Sequence, residues 1–324
     1  MADDFDSDDD ACSILVPVDV VNTSGVLQSV TAGGVALAED PSAAWVAGTT
    51  YAAGARVHLV STHRVYESTQ AGNVGKDPSL PANQYNAAGV ATFWIDIGPT
   101  NRTAMFDGLI STPTSTASPL VITMRPGAFN GFALFGIDAD SYSVVVKDAP
   151  GGTVLYSESM ALEGSMPGDY YEYFFDRYKP LTQFIRSGIE PYGASEITLT
   201  LTKATGNVKL GMFAIGDLRP VGIPQRDAKV EPQDFSYIKQ DAFGNATIKK
   251  RPNATSMSIS AVMPKEDAST TLSMLKEILG IPVVVVGSEA MFYEWMLAFG
   301  PISTSMSPNP YPYVTLSINV RGFI

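Results

Sequence analysis

Short segments in which apolar and polar residues alternate recur along most of the chain and predict strands rather than helices. The clearest is EITLTLT, which places Ile197, Leu199 and Leu201 on one face of a strand and three threonines on the other. Further runs with strand character lie nearby: PLVITMRPG, FNGFALFGID, SYSVVVKD, TVLYSES and VKLGMFAIGD. Together they predict a mainly β chain built from many short strands.

Turn signals join these strands into a sandwich. In SVVVKDAPGGTVLYSE the residues APGG supply a tight turn between two strands, which predicts a hairpin. The segment GNVKLGMFAIG is apolar on both faces, as expected of a strand packed inside a fold. We therefore interpret residues 101–220 as one antiparallel β-sandwich of the jelly-roll or galectin-like kind.

Residues 221–324 combine strands with a helix. A hairpin that turns at 243–245 is predicted in DFSYIKQDAFGNATIKKRP, and strands are predicted in TSMSISAVM, IPVVVVGS and YVTLSINVRGFI. The segment PKEDASTTLSMLKEILGIP predicts a helix that starts near two acids, ends at Gly280 and carries a stripe of aliphatic residues: Leu272, Leu275, Ile278 and Leu279. We interpret this region as an α+β assembly domain, joined by an N-terminal strand and hairpin within residues 13–44.

Charge and composition exclude several classes of function. The 324 residues carry a formal net charge of −12, whereas nucleic-acid binding needs concentrated Lys and Arg. Asp4, Asp6 and Asp8 have the alternate spacing of a calcium loop, but Leu15 stands where the final Glu of such a loop is needed. Residues 1–12 are therefore predicted to be a flexible acidic tail. No apolar run reaches the roughly 20 residues of a membrane span.

Residues that carry catalysis or bind metals are scarce in the sequence. Cys12 is the lone cysteine, so this chain by itself forms neither a disulfide nor a thiolate zinc site. His58 and His63 stand five residues apart, which predicts opposite faces of one strand and the wrong geometry for a shared metal. The nucleophile elbow, the phosphate-binding loop and the dinucleotide fingerprint are missing. The sequence therefore predicts no enzymatic activity, no metal and no cofactor.

Residues 45–100 form a small module with its own aromatic residues. Large side chains and a glycine recur through it at these positions: Trp45, Tyr51, Gly54, Val57, Tyr66 and Trp94. This spacing resembles the small three-stranded carbohydrate-binding modules found on chitinases and on many phage and prophage proteins. In the chitin-binding family exposed tryptophans after the second tyrosine stack on sugar rings, whereas this chain reads ESTQAGNVG there. Two interpretations follow: Trp45, Tyr66 and Trp94 form the core of the module, or they stack on a glycan.

The segment GDYYEYFFDRYKPLTQFI is the most aromatic part of the chain. Tyr171 and Tyr173 are candidates for stacking on the faces of sugar rings. If the segment were helical, Asp169, Glu172 and Asp176 would share one face, and a pair of carboxylates is what a glycosidase requires. The alternative is that these acids keep an aromatic strand or loop soluble.

Two parts of the chain resemble virion proteins of tailed bacteriophages. The segments TNRTAMFDG, YYEYFFDRY and ITLTLTKATGNVKLGMFAIGD are similar to a sandwich that recurs in tailed-phage and prophage virion proteins. The C-terminal order of hairpin, strand, helix, buried strand and final strand resembles the ring-forming domains of tail-tube and distal-tail proteins of long-tailed phages. The resemblance implies a structural protein of the tail tip or baseplate, made in the host cytoplasm and assembled into the virion.

The same resemblance implies partners. It implies a ring or trimer of this chain in contact with other tail or baseplate proteins, with the outer modules as lectin-like decorations. Lys249, Lys250 and Arg251 are candidates for meeting an acidic surface of a neighbouring subunit, or they are an ordinary solvated strand end. Leu272 and Leu275 of the helix are further candidates for the assembly interface. The alternative function is recognition of a host surface glycan, in which one or two aromatic side chains must be exposed rather than buried.

Overall fold

Antiparallel sheets dominate the fold, as the sequence pattern predicts. The structure is a computed structural model that describes residues 11–162, 180–240, 246–249, 253–288, 295–309 and 312–323. The described chain builds a β-sandwich, a small aromatic module and a C-terminal sheet with a helix packed against it. No helix in these ranges is both long enough and apolar enough to cross a membrane.

A six-stranded antiparallel sheet forms one layer of the sandwich. In spatial order its strands are β12 (Val154–Ala161), β11 (Ser141–Lys147), β14 (Glu196–Thr202), β9 (Leu120–Met124), β2 (Leu27–Ala32) and β3 (Val35–Ala36). In β14 the residues Ile197, Leu199 and Leu201 are fully buried, while the threonines between them are half-buried. The predicted APGG turn connects β11 and β12, which pair as a hairpin.

The opposite layer consists of three strands and a neighbouring pair. The three are β13 (Gln183–Arg186), β10 (Gly131–Phe135) and β16 (Met212–Pro224), and the pair is β8 (Thr114–Ala117) with β15 (Asn207–Leu210). Phe132, Phe184 and Phe213 of this layer share one core with Ile122 and Leu199 of the six-stranded sheet. A 3-10 turn, Ala104–Phe106, adds its methionine to the same core. This burial of aliphatic and aromatic residues between two sheets stabilises the sandwich.

The C-terminal sheet continues from the end of β16. In spatial order its strands are β22 (Leu297–Gly300), β21 (Val283–Val286), β1 (Cys12–Pro17), β16, β20 (Asn253–Pro264), β24 (Tyr313–Val320) and β23 (Ile302–Pro308), and β17 (Lys229–Asp234) also pairs with β20. Val283 and Val285 face one core and Val284 and Val286 face another. The prediction of a strand covered on both faces is therefore confirmed.

The N-terminal residues divide between the two regions. Strand β1 lies between β16 and β21 in the C-terminal sheet, whereas β2 pairs with β9 in the sandwich. The predicted segment 13–44 thus contributes its strand to one region and its hairpin to the other. The buried side chain of β2 packs in the sandwich core and not in the core of the C-terminal sheet. Of the predicted acidic tail, residues 1–10 lie outside the described residues, and Cys12 begins β1.

The predicted helix is present as α2, and its stripe is corrected in part. The helix spans Ala268–Glu277, and Met274, Leu275 and the following Ile278 are buried in the C-terminal core. Leu272 and Leu279, predicted on the same stripe, are 42% and 56% exposed. Each residue advances the helix by about 100°, so a buried face centred near Ile278 leaves both leucines to one side of it.

The small module lies between β3 and β8 along the chain. Its strands are β4 (Ala43–Ala44), β5 (Arg56–Leu59), β6 (Arg64–Ser68) and β7 (Trp94–Pro99), and its short helix is α1 (Pro81–Gln84). Strands β5, β6 and β7 pair antiparallel, and β4 adds to β5 in parallel. The module therefore contains the three-stranded antiparallel sheet that its resemblance to small carbohydrate-binding modules implies.

A two-stranded ribbon extends the β17–β20 pair. It consists of β18 (Tyr237–Gln240) and β19 (Ala246–Lys249), which pair antiparallel from Tyr237 opposite Lys249 onward. We call this ribbon the arm. Its two strands confirm the predicted hairpin, while the turn predicted at 243–245 lies outside the described residues.

Candidate functional site

The aromatic residues proposed to bind glycan in the small module form its core instead. Tyr66 is 2% and Trp94 is 0% exposed, and both pack with Tyr51 and Val57. The Trp94 ring meets Tyr51 edge-on at 5.3 Å, and its Nε1 donates to a backbone carbonyl at 2.7 Å. Trp45 is half-buried against the same cluster. The stacking prediction for Tyr66 and Trp94 is therefore wrong, because so small a sheet needs its largest rings to make a core.

The second group of proposed glycan-binding residues is not part of the described chain. Tyr171 and Tyr173 lie outside the described residues, as do the carboxylates Asp169, Glu172 and Asp176. The glycan-stacking and glycosidase interpretations of this segment both stay predictions.

The proposed assembly residues have different positions. Lys249 lies on the arm and is exposed, whereas Lys250 and Arg251 lie outside the described residues. Leu272 is on the outer side of α2, but Leu275 is 2% exposed and packs in the core. Leu275 is therefore not available to a neighbouring subunit, since it is already covered by its own chain.

The two histidines do not lie on one strand, which corrects the sequence prediction. His58 lies in β5 and is buried, with its Nδ1 at 2.8 Å from the Ser42 carbonyl oxygen. His63 closes the turn between β5 and β6 with a φ of 53°. This left-handed conformation is one that glycine usually supplies at the end of a hairpin loop. The turn aims His63 away from the sheet of the small module and towards Glu39.

Glu39 is a buried carboxylate where the chain enters and leaves the small module. Its side chain is 7% exposed, and its Oε1 accepts a hydrogen bond from Thr100 Oγ1 at 2.9 Å. His63 Nδ1 bonds the same oxygen, and Arg102 Nη1 lies 3.5 Å from Oε2. Because an ionised carboxylate can only accept, the Nδ1 of His63 carries the proton and a neutral ring keeps Nε2 as an acceptor. The carboxylate therefore fixes both the orientation and the tautomer of His63.

A cavity of about 180 Å³ opens beside this cluster. Its lining includes the apolar side chains of Val20, Val21 and Leu27 and the polar side chains of His63, Arg102 and Thr103. The Nε of Arg102 is buried and has no hydrogen-bond partner among the described residues. The lining combines hydrogen-bonding side chains with apolar ones, which suits binding of a polar ligand more than nucleophilic chemistry. We call Glu39, its partners His63 and Arg102, and the cavity beside them the Glu39 site.

Sequence patterns do not reveal the Glu39 site. His63 is 24 residues from Glu39, and Arg102 is 63 residues from it. None of the three belongs to a motif, and all three come together only because the small module is inserted between β3 and β8.

A shallower groove of about 530 Å³ crosses the outer face of the C-terminal sheet. One rung of paired residues runs across four strands of this face: Lys229, Ser258, Asn319 and Ser303. Ser258 Oγ donates to Asn319 Oδ1 at 2.7 Å. The face thus carries short hydroxyl and amide groups. No cluster of three potential metal-binding side chains occurs in the described part of the chain.

A third polar cluster joins the layers of the sandwich at its edge. Arg186 Nε donates to both oxygens of Glu158, at 2.9 and 3.0 Å, and Tyr156 donates to Glu158 at 2.7 Å. Burial raises the pKa of Tyr156 to about 12, and the Glu158 carboxylate contributes to that rise. The hydroxyl of Tyr142 accepts from Arg186 at 3.0 Å. These partners satisfy one another, so the cluster is a structural tie between β11, β12 and β13.

Comparison with known proteins identifies no family for the chain. No protein-family model matches the chain, and no curated protein matches it. Among solved structures, the chain is similar to chitosan-binding module 1 of a chitosanase/glucanase from Paenibacillus sp. IK-5. The sequences are 16% identical, the likeness covers 37% of this chain and 85% of that module, and the TM-score is 0.24. At these values the likeness carries no argument about what this chain binds.

Proposed function

We propose that the protein is a structural subunit of a tailed-phage virion, located at the tail tip or baseplate. In this proposal it assembles with copies of itself into a ring or trimer and links the tail to parts that attach to the host. The observation that carries the proposal is the arm, a ribbon with exposed apolar residues and no core of its own.

The arm has the properties of an assembly element. Tyr237 is 51% and Ile248 is 67% exposed, and every described side chain of the two strands is exposed. An isolated two-stranded ribbon is marginally stable in water. Contact with another subunit would cover these apolar groups and stabilise the ribbon. We therefore expect contact with another subunit to stabilise the arm.

The charges of the arm favour a second copy of the chain as its partner. The strands of the arm carry Lys239 and Lys249 and no acidic residue, whereas the whole chain has a net charge of −12. Two whole chains of this charge repel each other, but the basic strands of the arm are attracted to an acidic surface of another copy within a Debye length, about 10 Å at 0.1 M salt, and this attraction weakens as salt is added.

A free sheet edge supports the same proposal. Strand β23 ends the order of the C-terminal sheet, and no strand of the described chain pairs with its outer edge. Its sequence, ISTSMSP, contains no charged residue to discourage pairing with another chain. The burial of Tyr66 and Trp94 also favours an assembly protein over a lectin that uses those rings.

Light scattering over a concentration series, at two salt levels, tests the proposal. We expect the wild type to form a discrete oligomer and to appear as a closed ring or trimer in electron micrographs. The double variant Tyr237→Ser, Ile248→Ser should associate at least about tenfold more weakly, because each lost apolar contact contributes on the order of 1.5 kcal/mol or more.

The matched control removes two exposed apolar residues from another strand, through Ile95→Ser and Ile97→Ser in β7. Its mass should equal that of the wild type. A strict monomer at all concentrations, or an arm variant that assembles like the wild type, would contradict the proposal.

A further inference from the structure

We infer that the Glu39 site binds one uncharged sugar residue of a glycan. The site differs from the aromatic positions that the sequence suggests, and it includes neither the arm nor any residue of the C-terminal region. The inference therefore does not depend on the proposed oligomer.

The polar side of the cavity offers complementary hydrogen-bonding groups. Arg102 lines the cavity, and the exposed part of its guanidinium group provides N–H donors. In its neutral form His63 provides an acceptor at Nε2, since its Nδ1 donates to Glu39. Ser24 also lines the cavity, and its hydroxyl can both donate and accept. The hydroxyl of Thr103 can accept only, because its proton is donated to Thr100 Oγ1 at 3.0 Å and the proton of Thr100 is donated to Glu39. Neighbouring sugar hydroxyls, each a donor and an acceptor, match this pattern.

The apolar side and the volume fit the rest of a sugar ring. Val20, Val21 and Leu27 line the cavity and offer apolar surface on which the C–H groups of a pyranose can pack. A volume of about 180 Å³ corresponds to roughly six water molecules at about 30 Å³ each. This space is large enough for about one sugar ring. A longer glycan would place its other residues outside the cavity.

The charges at the site favour an uncharged ligand over an anion. The buried carboxylate of Glu39 lies beside Arg102 and offsets its positive charge. A carboxylate or phosphate in the cavity would meet this nearby negative charge, whereas a hydroxyl would not. The positive charge of Arg102 is therefore already paired with Glu39 before any ligand enters.

The backbone holds the site in place before binding. Among the described residues, His63 is the non-glycine residue with a positive φ, at 53°. Such a conformation is unfavourable for a side-chain-bearing residue and persists where surrounding contacts hold it. The bond from Nδ1 to Glu39 and the backbone bond from Thr100 N to His63 O, at 2.9 Å, provide those contacts. The ring is thus positioned without cost to the ligand.

Ligand-observed saturation-transfer NMR on the full chain tests the inference. The neutral probes are glucose, galactose, N-acetylglucosamine and rhamnose, and the anionic probes are glucuronic acid and inorganic phosphate. We expect at least one neutral sugar to bind, and Ser24→Trp to abolish that binding by filling the mouth of the cavity while leaving Glu39, His63 and Arg102 unchanged. Arg102→Gln should weaken binding at least tenfold.

Control variants separate binding from folding and from assembly. Arg56→Gln removes an exposed ion pair with Glu67 in the same module and should not change binding. The arm variant Tyr237→Ser, Ile248→Ser should bind the sugar as the wild type does, whatever its oligomeric state. Thermal unfolding of each variant shows whether the fold persists. Binding by none of the neutral sugars, binding by the anions alone, or undiminished binding to Ser24→Trp would overturn the inference.

Discussion

At the scale of single residues, Glu39 decides the chemistry of the candidate site. Three residues provide donors to its carboxylate: Thr100, His63 and Arg102. The carboxylate is nearly inaccessible to water. An exposed pair such as Arg56 with Glu67 contributes about 0–1 kcal/mol, because water screens it. A buried carboxylate that loses a partner costs more, since the remaining groups stay unsatisfied. The three donors are therefore held in fixed positions.

Glu158 gives a prediction about pH. Burial alone would raise the pKa of Glu158, but hydrogen bonds from Arg186 and from two tyrosine hydroxyls lower it below its ordinary value of 4.5. A carboxyl with a lower pKa in the folded state stabilises the fold above its unfolded pKa, and this contribution disappears as pH falls through the folded pKa. We expect the wild type to be more stable than Glu158→Gln at neutral pH. The difference should start to shrink near pH 4.5 and continue to shrink below it.

Urea unfolding at a series of pH values, from about 7 down to about 3, measures this difference. The control is Glu190→Gln, which changes an exposed carboxylate of the same sandwich. Its difference from the wild type should vary little with pH. A gap between wild type and Glu158→Gln that widens as pH falls would show that the network does not favour the charged carboxylate.

Residues of the Glu39 site illustrate what sequence patterns cannot show. His63 invites a prediction from its spacing to His58, and that prediction assumes one continuous strand through both. The chain instead turns between them, and the partner of His63 lies before the small module. The sequence indicates that Trp94 is important, because a small module needs large aromatic rings for its core. Whether such a ring faces the core or a ligand depends on the sheet that surrounds it.

At the scale of elements, local signals determine the position of α2, whereas distant residues determine which of its faces is buried. Its position follows from local signals, since acids precede it and Gly280 follows it. Its buried face depends on the strands that it packs against, and these cover Met274 and Leu275 but not Leu272. Strand β21 is simpler, because four consecutive valines have no polar face to expose. Elements buried on every side are therefore easier to predict than elements with two alternative faces.

Two leucines of α2 provide a matched pair for testing that face. Leu275→Ala should lower the free energy of unfolding by about 2–5 kcal/mol, because it leaves a cavity in the C-terminal core. Leu272→Ala should change it by less than about 0.5 kcal/mol in the dilute protein, because this leucine is already 42% exposed. Urea unfolding at low protein concentration compares the two. Equal effects would mean that the two side chains are buried to the same extent.

At the scale of the whole molecule, β16 connects the sandwich to the C-terminal sheet. Its first residues pair with β10, its middle residues with β1 and its last two with β20. Gly216 is the crossing point, since it pairs with Gly131 on one side and with Pro17 on the other. The two regions are thus joined by a continuous strand rather than by a linker. A substitution at Gly216 should therefore destabilise both the sandwich and the C-terminal sheet.

Gly216→Ala tests this connection. A Cβ at this position would lie 1.9 Å from the Val16 carbonyl oxygen, so the backbone of β1 or β16 must shift. We expect a loss of about 1–3 kcal/mol or more in stability, and faster hydrogen exchange in both β10 and β21, measured by mass spectrometry. Gly193→Ala is the control, because a Cβ there meets no atom within 4 Å. If hydrogen exchange increases in one region only, the two regions unfold independently. Contacts that the C-terminal sheet makes on assembly would then not affect the sandwich through β16.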